Sequence, residues 1–355
     1  MIRAQASIHR AALAHNLQRV RDHAPGRAVY AAVKADGYGH GAVTVALALS
    51  DADGFAVSSI EEALQLRWAG LAKPVALLSQ MLDTEACDAI AEHALEVVVF
   101  HDAQLEALAR HIGLPVRVWI KLDTGMHRLG FDCARADEIE RRLSGLDAVE
   151  IVGWLTHLAC ADDPADALTS RQLAAFTQAT GKRAGRRSIA NSAGVLAWPD
   201  AHADVVRPGI MLYGSSPMVD RSAAELDLKS VMHLTAPLIA RQTLAAGEPV
   251  GYGATWRTPE TMPVGVVGIG YGDGYPRHAP AGTPVLLGGV RVPLIGRVSM
   301  DMITVDLRDA PDAQVGDRAT LWGPGLPADE IAAAADTIAY ELFCRLTPRV
   351  LFDIR

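Results

Sequence analysis

The chain has 355 residues, of which 50% are hydrophobic and 21% are charged, and its formal net charge is -8 at pH 7. This length exceeds what one hydrophobic core usually covers, and the composition is that of a globular protein and not of a disordered or fibrous one. The negative charge and the lack of a basic stripe argue against a nucleic-acid partner.

The N-terminal residues, MIRAQASIHRAALAHNLQRV, lack the continuous apolar core of a signal peptide, and no segment reaches the length of a membrane span. We therefore expect a cytoplasmic protein without a membrane partner.

The four cysteines lie far apart without CxxC spacing, at Cys87, Cys133, Cys160 and Cys344. This spacing favours reduced thiols over a disulfide framework or a zinc site, so no metal is expected.

Eight short β-rich runs occupy the first part of the chain. They are residues 28–34, 54–59, 74–79, 96–100, 116–123, 150–158, 187–192 and 205–210. Helical patterning lies between them, as at 59–68, 83–93, 102–111 and 168–179. Eight strands that alternate with helices over this length predict a (β/α)8 barrel.

After about residue 230 the sequence changes to Val-, Gly- and Pro-rich runs without helical periodicity, apart from a late helical piece at 328–347. Such runs indicate a mainly-β module. The predicted fold class is therefore α/β, with two domains. A (β/α)8 TIM-type barrel spans residues 1–230, and a C-terminal mainly-β domain spans residues 231–355.

One lysine, Lys34, ends the first buried apolar run within the stretch YAAVKADGYGHG. Lysine is among the residues least often found at the edge of a buried strand without a partner. An ε-amine in a water-poor pocket shifts toward its neutral, nucleophilic form, as Schiff-base formation with a carbonyl requires. Taken alone, a lysine at a strand end more often extends its ammonium into solvent.

Further polar residues end later strands of the predicted barrel, where active sites of this fold lie. They are His157 at the end of the sixth strand, Asn191 and Ser192 at the end of the seventh, and Arg207 at the end of the eighth, where Gly209 and Ile210 accompany it. Individually, each has a plain structural alternative: a core histidine, a helix cap with a serine hydroxyl, or an arginine in an ion pair. Their joint placement at one mouth predicts a single site with Lys34.

The string AVKADGYGHG closely resembles the cofactor-lysine signature of bacterial alanine racemases, and the similarity extends along the whole chain. The resemblance implies that Lys34 binds pyridoxal 5'-phosphate (PLP) covalently. It also implies a set of groups around the cofactor phosphate, with Asn191 beside them. This set comprises Tyr38, Ser192, Gly209, Ile210 and Tyr340.

Arg207, in VVRPGIMLYG, matches the racemase arginine that faces the pyridine nitrogen of PLP. Because arginine keeps its proton, that nitrogen would stay unprotonated, which weakens the ring as an electron sink and suppresses side reactions. The resemblance places His157 beside the cofactor, in a hydrogen-bond chain with Arg207 and the catalytic tyrosine.

The segment VWIKLDTGMHRLG also matches the racemases. Within it, Arg128 resembles the arginine that contacts the cofactor phenolic oxygen and the substrate carboxylate. Lys121 matches a lysine that is carbamylated in several members and then holds that arginine in place. A salt bridge between Lys121 and Asp123 or another acid is the structural alternative.

Racemisation removes a proton from one face of the α-carbon and returns it on the other, so two bases are expected. Lys34 serves one face, and the string EPVGYGATW resembles the catalytic tyrosine segment, which assigns the other face to Tyr252. A phenol has a pKa near about 10 and needs cationic or hydrogen-bonding help, which His157 and Arg207 could supply. An isolated GYG would instead indicate a hairpin turn with a surface tyrosine.

The resemblance further implies a head-to-tail homodimer in which Tyr252 reaches the barrel mouth of the partner subunit. Tyr271 resembles a residue of the substrate entryway, and Met300 with Asp301 resembles the strip that presents a backbone N–H to the substrate carboxylate. The predicted function is PLP-dependent interconversion of L- and D-alanine, for peptidoglycan synthesis or alanine catabolism. The alternatives are a racemase of other or broader amino-acid specificity and a non-catalytic PLP carrier or regulator on the same barrel.

Overall fold

A computed structural model describes residues 3–355 of the chain. In chain order, the strands are β1 (Gln5–Ile8), β2 (Ala28–Ala32), β3 (Gly54–Val57), β4 (Val75–Leu77), β5 (Glu96–Val99), β6 (Val116–Asp123), β7 (Phe131–Asp132), β8 (Val149–Leu155), β9 (Arg186–Ser188), β10 (Val205–Val206), β11 (Met232–Leu244), β12 (Pro249–Val250), β13 (Trp256–Arg257), β14 (Met262–Val267), β15 (Pro284–Leu287), β16 (Val290–Ile295), β17 (Ile303–Asp306), β18 (Arg318–Trp322) and β19 (Leu351–Ile354). The helical segments are α1 (Arg10–His23), α2 (Lys34–Gly39), α3 (Ala42–Ala48), α4 (Ile60–Trp68), α5 (Thr84–Glu92), α6 (Asp102–Arg110), α7 (Ala136–Ser144), α8 (Leu168–Thr180), α9 (Ser192–Ala197), α10 (Ala328–Ala334) and α11 (Ala339–Cys344).

Eight parallel strands close into a barrel in the order β2, β3, β4, β5, β6, β8, β9, β10, and β10 returns to pair with β2. Each strand lies within or close to one of the eight runs predicted from the sequence, so the predicted barrel is confirmed. Several strands end two or more residues before the predicted run ends. The polar residues at the ends of the predicted runs therefore lie on loops and helix starts at the barrel mouth.

Short polar side chains explain where several barrel helices begin. The Ser59 hydroxyl accepts the Glu62 N–H at the start of α4, and an Asp83 carboxylate oxygen accepts the Ala86 N–H at the start of α5. Each cap satisfies a backbone donor that the first helical turn leaves without a partner. The strand-to-helix connections thereby keep fixed positions around the barrel.

The N-terminal end of the barrel is filled by side chains. The fully buried Glu96 carboxylate accepts the Trp119 indole N–H at 2.7 Å and pairs with the Arg117 guanidinium at 2.9 Å. Burying a carboxylate is tolerated only with such partners. Because this end is plugged, ligands enter the barrel from the opposite mouth, where the carboxyl ends of the strands lie.

The C-terminal module is mainly β, as predicted. Six of its strands close on themselves in the order β14, β17, β16, β15, β18 and β11, and β11 pairs back with β14. The long strand β11 also pairs with β1, which in turn pairs with β19. The predicted late helix is present as two short helices, α10 and α11.

The position of β1 differs from the prediction, which assigned its residues to the barrel domain. Gln5 lies opposite Thr235 of β11 and Leu351 of β19, so this strand belongs to the C-terminal sheet. A four-residue strand carries no information about a partner more than two hundred positions away. Among residues 3–355, no helix is long and apolar enough to cross a membrane.

Helix α11 connects the second module to the barrel mouth. The Tyr340 ring lies 5.8 Å from the Tyr38 ring between centroids, and α2 packs against α11. A Cβ on Gly39 would clash with the Phe343 carbonyl oxygen and lie 3.2 Å from the Cys344 Cα. The close approach of these two backbones therefore requires glycine at position 39.

We expect Gly39→Ala to lower the free energy of unfolding by about 3 kcal/mol or more, because it combines left-handed strain with a backbone clash. Gly70→Ala is a matched control. Gly70 also has a positive φ (+84° against +73° for Gly39), but a Cβ there meets nothing within 4 Å. The control should cost only about 1 kcal/mol. Urea unfolding measures both values. Equal losses for the two variants would contradict the proposed clash.

Candidate active site

A cavity of about 810 Å³ opens at the C-terminal mouth of the barrel. It is lined by all ten residues for which a cofactor contact was predicted. These are Lys34, Tyr38, Arg128, His157, Asn191, Ser192, Arg207, Gly209, Ile210 and Tyr340. The residues come from six separate parts of the chain, so the fold alone brings them together.

The lysine enters the cavity from an unusual backbone segment. After Lys34, residues 35–38 have φ values of 51°, 52°, 62° and 53°, which makes α2 a left-handed turn. L-amino acids pay about 1–2 kcal/mol per residue for this conformation, and only one of the four residues is glycine. The turn allows Lys34 and Tyr38 to line the same cavity.

The surroundings of Lys34 favour its neutral form. Burial lowers the pKa of its amine, and the Arg128 guanidinium lowers it further. The predicted shift toward a nucleophilic amine thus has a physical cause in the structure. The alternative of a strand-end lysine extending into solvent does not agree with its partial burial in this cavity.

Arg207 is almost completely buried, at 6% exposure. Its guanidinium donates to the Thr156 carbonyl at 2.7 Å, to the Ile189 carbonyl at 3.2 Å and to the Ser188 hydroxyl. Burial lowers the pKa of Arg207 to about 10, so it remains protonated near neutral pH. Its hydrogen-bond partners within residues 3–355 are neutral, and the carboxylate pair considered as an alternative is not found there.

His157 lies beside this arginine. Its Nδ1 is 3.5 Å from an Arg207 Nη atom, which agrees with the predicted contact between the two side chains. Burial and then the Arg207 charge hold the pKa of His157 well below its usual range. The histidine is therefore neutral, and it can accept a hydrogen bond at the ring nitrogen that carries no proton.

The loops after β9 and β10 meet at one serine hydroxyl. Ser192 Oγ accepts the Gly209 N–H at 2.8 Å and the Met211 N–H at 3.3 Å. Because the oxygen accepts twice, its own O–H is left to donate to an oxyanion. Asn191 caps α9 through the Gly194 N–H at 2.9 Å, so the cap predicted for this pair is made by Asn191.

The space beside Ser192 is open because residue 209 is glycine. A Cβ on Gly209 would overlap the Tyr38 hydroxyl. The Tyr38 ring is stacked on the Tyr213 ring at 4.6 Å between centroids, and the Tyr213 hydroxyl donates to the Ala32 carbonyl at 2.8 Å. Tyr38 is thereby fixed with its hydroxyl next to Ser192 and Gly209.

Lys121 is buried behind the cavity lining, at 7% exposure. Burial, and then the charges of Arg207 and Arg128, lower its pKa to about 8. The Asp123 carboxylate is occupied by the N–H groups of residues 125–127 and by the His127 ring. Within the described part of the chain, Lys121 makes no salt bridge with Asp123, so that alternative finds no support.

Apart from Tyr340, the predicted residues of the C-terminal module do not line this cavity. Tyr252 is 70% exposed, Met300 is 52% exposed, and Tyr271 is 39% exposed. Asp301 is tied to Arg349 at 2.7 Å. A single chain therefore assembles the predicted cofactor residues but not the predicted second base or the substrate strip.

Other residues at the mouth were not anticipated from the sequence. Asp162, Asp329 and Cys344 line the cavity, and Tyr213 supports Tyr38 from behind. Tyr213 lies only six positions after Arg207 in VVRPGIMLYG, so that motif contained a signal for it. Asp162 and Asp329 lie in segments without a distinctive pattern, and only the folded chain brings them to the site.

Two family models cover nearly the whole chain. The model described as "Alanine racemase, N-terminal domain" matches residues 8–217, and "Alanine racemase, C-terminal domain" matches residues 231–353. Alanine racemase from Nitrosococcus oceani is 53% identical over 98% of this chain and 98% of its own length. Alanine racemase from Halorhodospira halophila is 50% identical over 98% of this chain and 96% of its own length.

Solved structures agree with these sequence matches. The biosynthetic alanine racemase from Pseudomonas aeruginosa superposes with a TM-score of 0.97 at 46% identity, and 100% of each chain is covered. The alanine racemase from Acinetobacter baumannii gives a TM-score of 0.95 at 37% identity, again with 100% of each chain covered. The barrel, the C-terminal β module and the sequence therefore lead to one assignment: the chain is an enzyme of the alanine racemase family.

Proposed function

We propose that this enzyme interconverts L- and D-alanine with PLP as its cofactor and with Lys34 and Tyr252 as the two bases. The observation that carries the proposal is the single cavity in which a buried lysine amine, two arginines and several hydroxyl donors converge. The family assignment supplies the substrate. The domain boundary near residue 230 agrees with the interval between the two matched family models.

The residues of the cavity fit this cofactor. The Lys34 amine has the lowered pKa that bonding to an aldehyde requires. The free Ser192 O–H, the Tyr38 and Tyr340 hydroxyls and the space kept by Gly209 suit a phosphate group. The Gly209 and Met211 N–H groups already donate to Ser192, so the Ile210 N–H between them is the further donor proposed for such a group, and Asn191 orients the helix start nearby.

When bound, PLP withdraws electrons from the α-carbon of an amino acid and so acidifies the α-hydrogen. Arg207 would face the ring nitrogen with a guanidinium that keeps its proton. Three contacts to fixed acceptors prevent this guanidinium from turning away. In this arrangement Arg207 limits how strongly the ring draws electrons, which favours quick return of the proton over other reactions.

Lys34 is proposed to move the proton on one face of the substrate. As a free amine, its Nζ would accept or return a proton at the α-carbon, and the lowered pKa favours the neutral form that can accept it. Arg128 lies close enough to lower that pKa, and a carboxylate bound to Arg128 would therefore lie near the amine. Arg128 is proposed to hold the substrate carboxylate.

Tyr252 is proposed to serve the opposite face from the second subunit of a homodimer. It is exposed and lies outside the cavity of its own chain, as a residue that completes a neighbouring site should. On entering the partner's mouth it would meet the neutral His157 beside the Arg207 cation. A neutral His157 that accepts from Arg207 at Nδ1 carries its proton on Nε2, and this N–H would donate to the Tyr252 oxygen and stabilise the phenolate.

Tyr271, Met300 and Asp301 are proposed to accompany Tyr252 into the partner's site, at its entrance and along the substrate carboxylate.

Lys121 is proposed to be carbamylated. Its neutral amine, favoured by a pKa of about 8, would attack CO2 to form an N–C bond and release one proton. The resulting anion would lie between Arg128 and Arg207, where the described residues place no carboxylate partner for Arg207.

We further propose that the dimer works in the cytoplasm, because all four cysteines are free thiols in the structure. The product D-alanine would serve peptidoglycan synthesis, or the reverse reaction would serve catabolism.

A non-catalytic PLP carrier would need no second base. That alternative does not explain why the C-terminal module carries Tyr252.

Lys34→Ala should abolish the visible absorbance that PLP gives when it is bound covalently to the protein, because no other amine of the cavity is placed as its anchor. Lys182→Ala is the control, since that lysine is exposed and remote from the cavity. Spectra of both variants after addition of PLP provide the measurement. An undiminished band in Lys34→Ala would refute the assignment of Lys34.

Tyr252→Phe should slow exchange of the α-hydrogen with deuterated solvent by about 10²–10⁴-fold for one enantiomer of alanine and far less for the other. The reason is that each base serves one face only, and Lys34 remains intact in this variant. Proton NMR of L- and D-alanine incubated separately in D2O measures the two rates. Small, equal effects on both enantiomers would remove Tyr252 from its role.

A further inference from the structure

The left-handed turn after Lys34 is held by a carboxylate from a neighbouring helix. Glu62 lies in the first turn of α4, and its Oε1 accepts the Ala35 N–H at 2.7 Å. Its Oε2 accepts the Ser58 N–H, also at 2.7 Å. One carboxylate thereby joins the ends of the first two barrel strands at the point where the lysine leaves its strand.

Such a clamp has a physical reason. Ala35, Asp36 and Tyr38 all adopt the left-handed conformation that disfavours side chains, so the turn persists only if its surroundings hold it. The far end of the turn is held by the Asp36 carboxylate, which accepts the Ala42 N–H at 2.8 Å, and by the stacked Tyr38 ring. The near end, adjacent to Lys34, is held by Glu62.

Glu62 also affects the lysine through its charge. Arg128 and Arg207 lower the pKa of the Lys34 amine, together with its burial, whereas the Glu62 carboxylate and the Cys344 thiol act in the opposite direction. Lys121 and His157 also face the amine, and Tyr38, Tyr340, Asp162 and Asp329 line the same cavity. Glu62 is the carboxylate whose charge raises the pKa of Lys34, so its removal should lower that pKa.

We propose that Glu62 is a positioning residue for Lys34, fixing the left-handed turn through the Ala35 N–H and balancing the cations around the amine. The inference rests on the role proposed above for Lys34. It makes Glu62 part of the cofactor-anchoring apparatus although its side chain does not line the cavity. Sequence reasoning gave no sign of it, since Glu61 and Glu62 look alike as first-turn acids of a helix.

Glu62→Gln tests the proposal, with Glu61→Gln as the matched control. Both variants lose one negative charge in the first turn of α4, but Glu61 is exposed and makes no bond to Ala35. The amide keeps the size of the side chain, so the fold should survive, and thermal unfolding checks this. Hydrogen–deuterium exchange of the apoprotein, read on the peptide covering residues 33–42, measures how firmly the turn is held.

In Glu62→Gln, this peptide should exchange about tenfold faster or more, because the amide offers one neutral acceptor oxygen where the carboxylate offers two charged ones. The rate at which PLP develops its visible band with the apoprotein should also reach half-maximum at a lower pH, since the lysine loses its nearby anion. Glu61→Gln should change neither quantity. Exchange unaltered in Glu62→Gln, or a pH curve that coincides with that of Glu61→Gln, would overturn the proposal.

These outcomes are separable from a failure of the proposed function. If Lys34→Ala retained the visible band, Lys34 would lose its role as anchor, but faster exchange in Glu62→Gln would still show that Glu62 holds the turn. A normal Lys34 result together with unaltered exchange in Glu62→Gln would overturn the inference about Glu62 alone.

Discussion

The structure depends on keeping one primary amine buried among cations at the mouth of a barrel. Burial and Arg128 both push Lys34 toward its neutral form, and Arg207 acts in the same direction. Under the proposed function, such a site would suit an electron-poor aldehyde and an anionic phosphate, because an aldehyde bonds to a neutral amine and a phosphate offsets the positive charge of the arginines. The fold thus lowers the pKa of Lys34 by keeping its amine away from water, and the proposed chemistry depends on that shift.

Each major feature of the fold maintains that environment. The buried Glu96 carboxylate and its two partners fill the opposite end of the barrel, so the amine faces one opening only. The left-handed turn sets Lys34 and Tyr38 on one cavity wall, and helix α11 of the second module brings Tyr340 to it. Gly39 permits the close contact between that turn and that helix. The two modules therefore pack against each other next to Lys34.

Local patterns in the sequence were enough to predict the barrel and some of the residues that meet at its mouth, and the family resemblance supplied others. Alternating strands and helices place Lys34, His157 and Arg207 at strand ends, and parallel strands bring those ends to one edge. The left-handed turn was not predictable, because three of its four residues disfavour that conformation. The partners of β1 and the bond from Glu62 to Ala35 depend on tertiary contacts that no local pattern encodes.

In the proposed homodimer, one chain supplies the cofactor site and one base, while its partner supplies the other base. Mixing Lys34→Ala with Tyr252→Phe under conditions of subunit exchange tests it most directly, because each hybrid dimer then contains one site in which both bases are present. With equal amounts and random pairing, the account predicts recovery of about a quarter of wild-type racemase activity from two variants that are each inactive. No recovery despite demonstrated subunit exchange would contradict it.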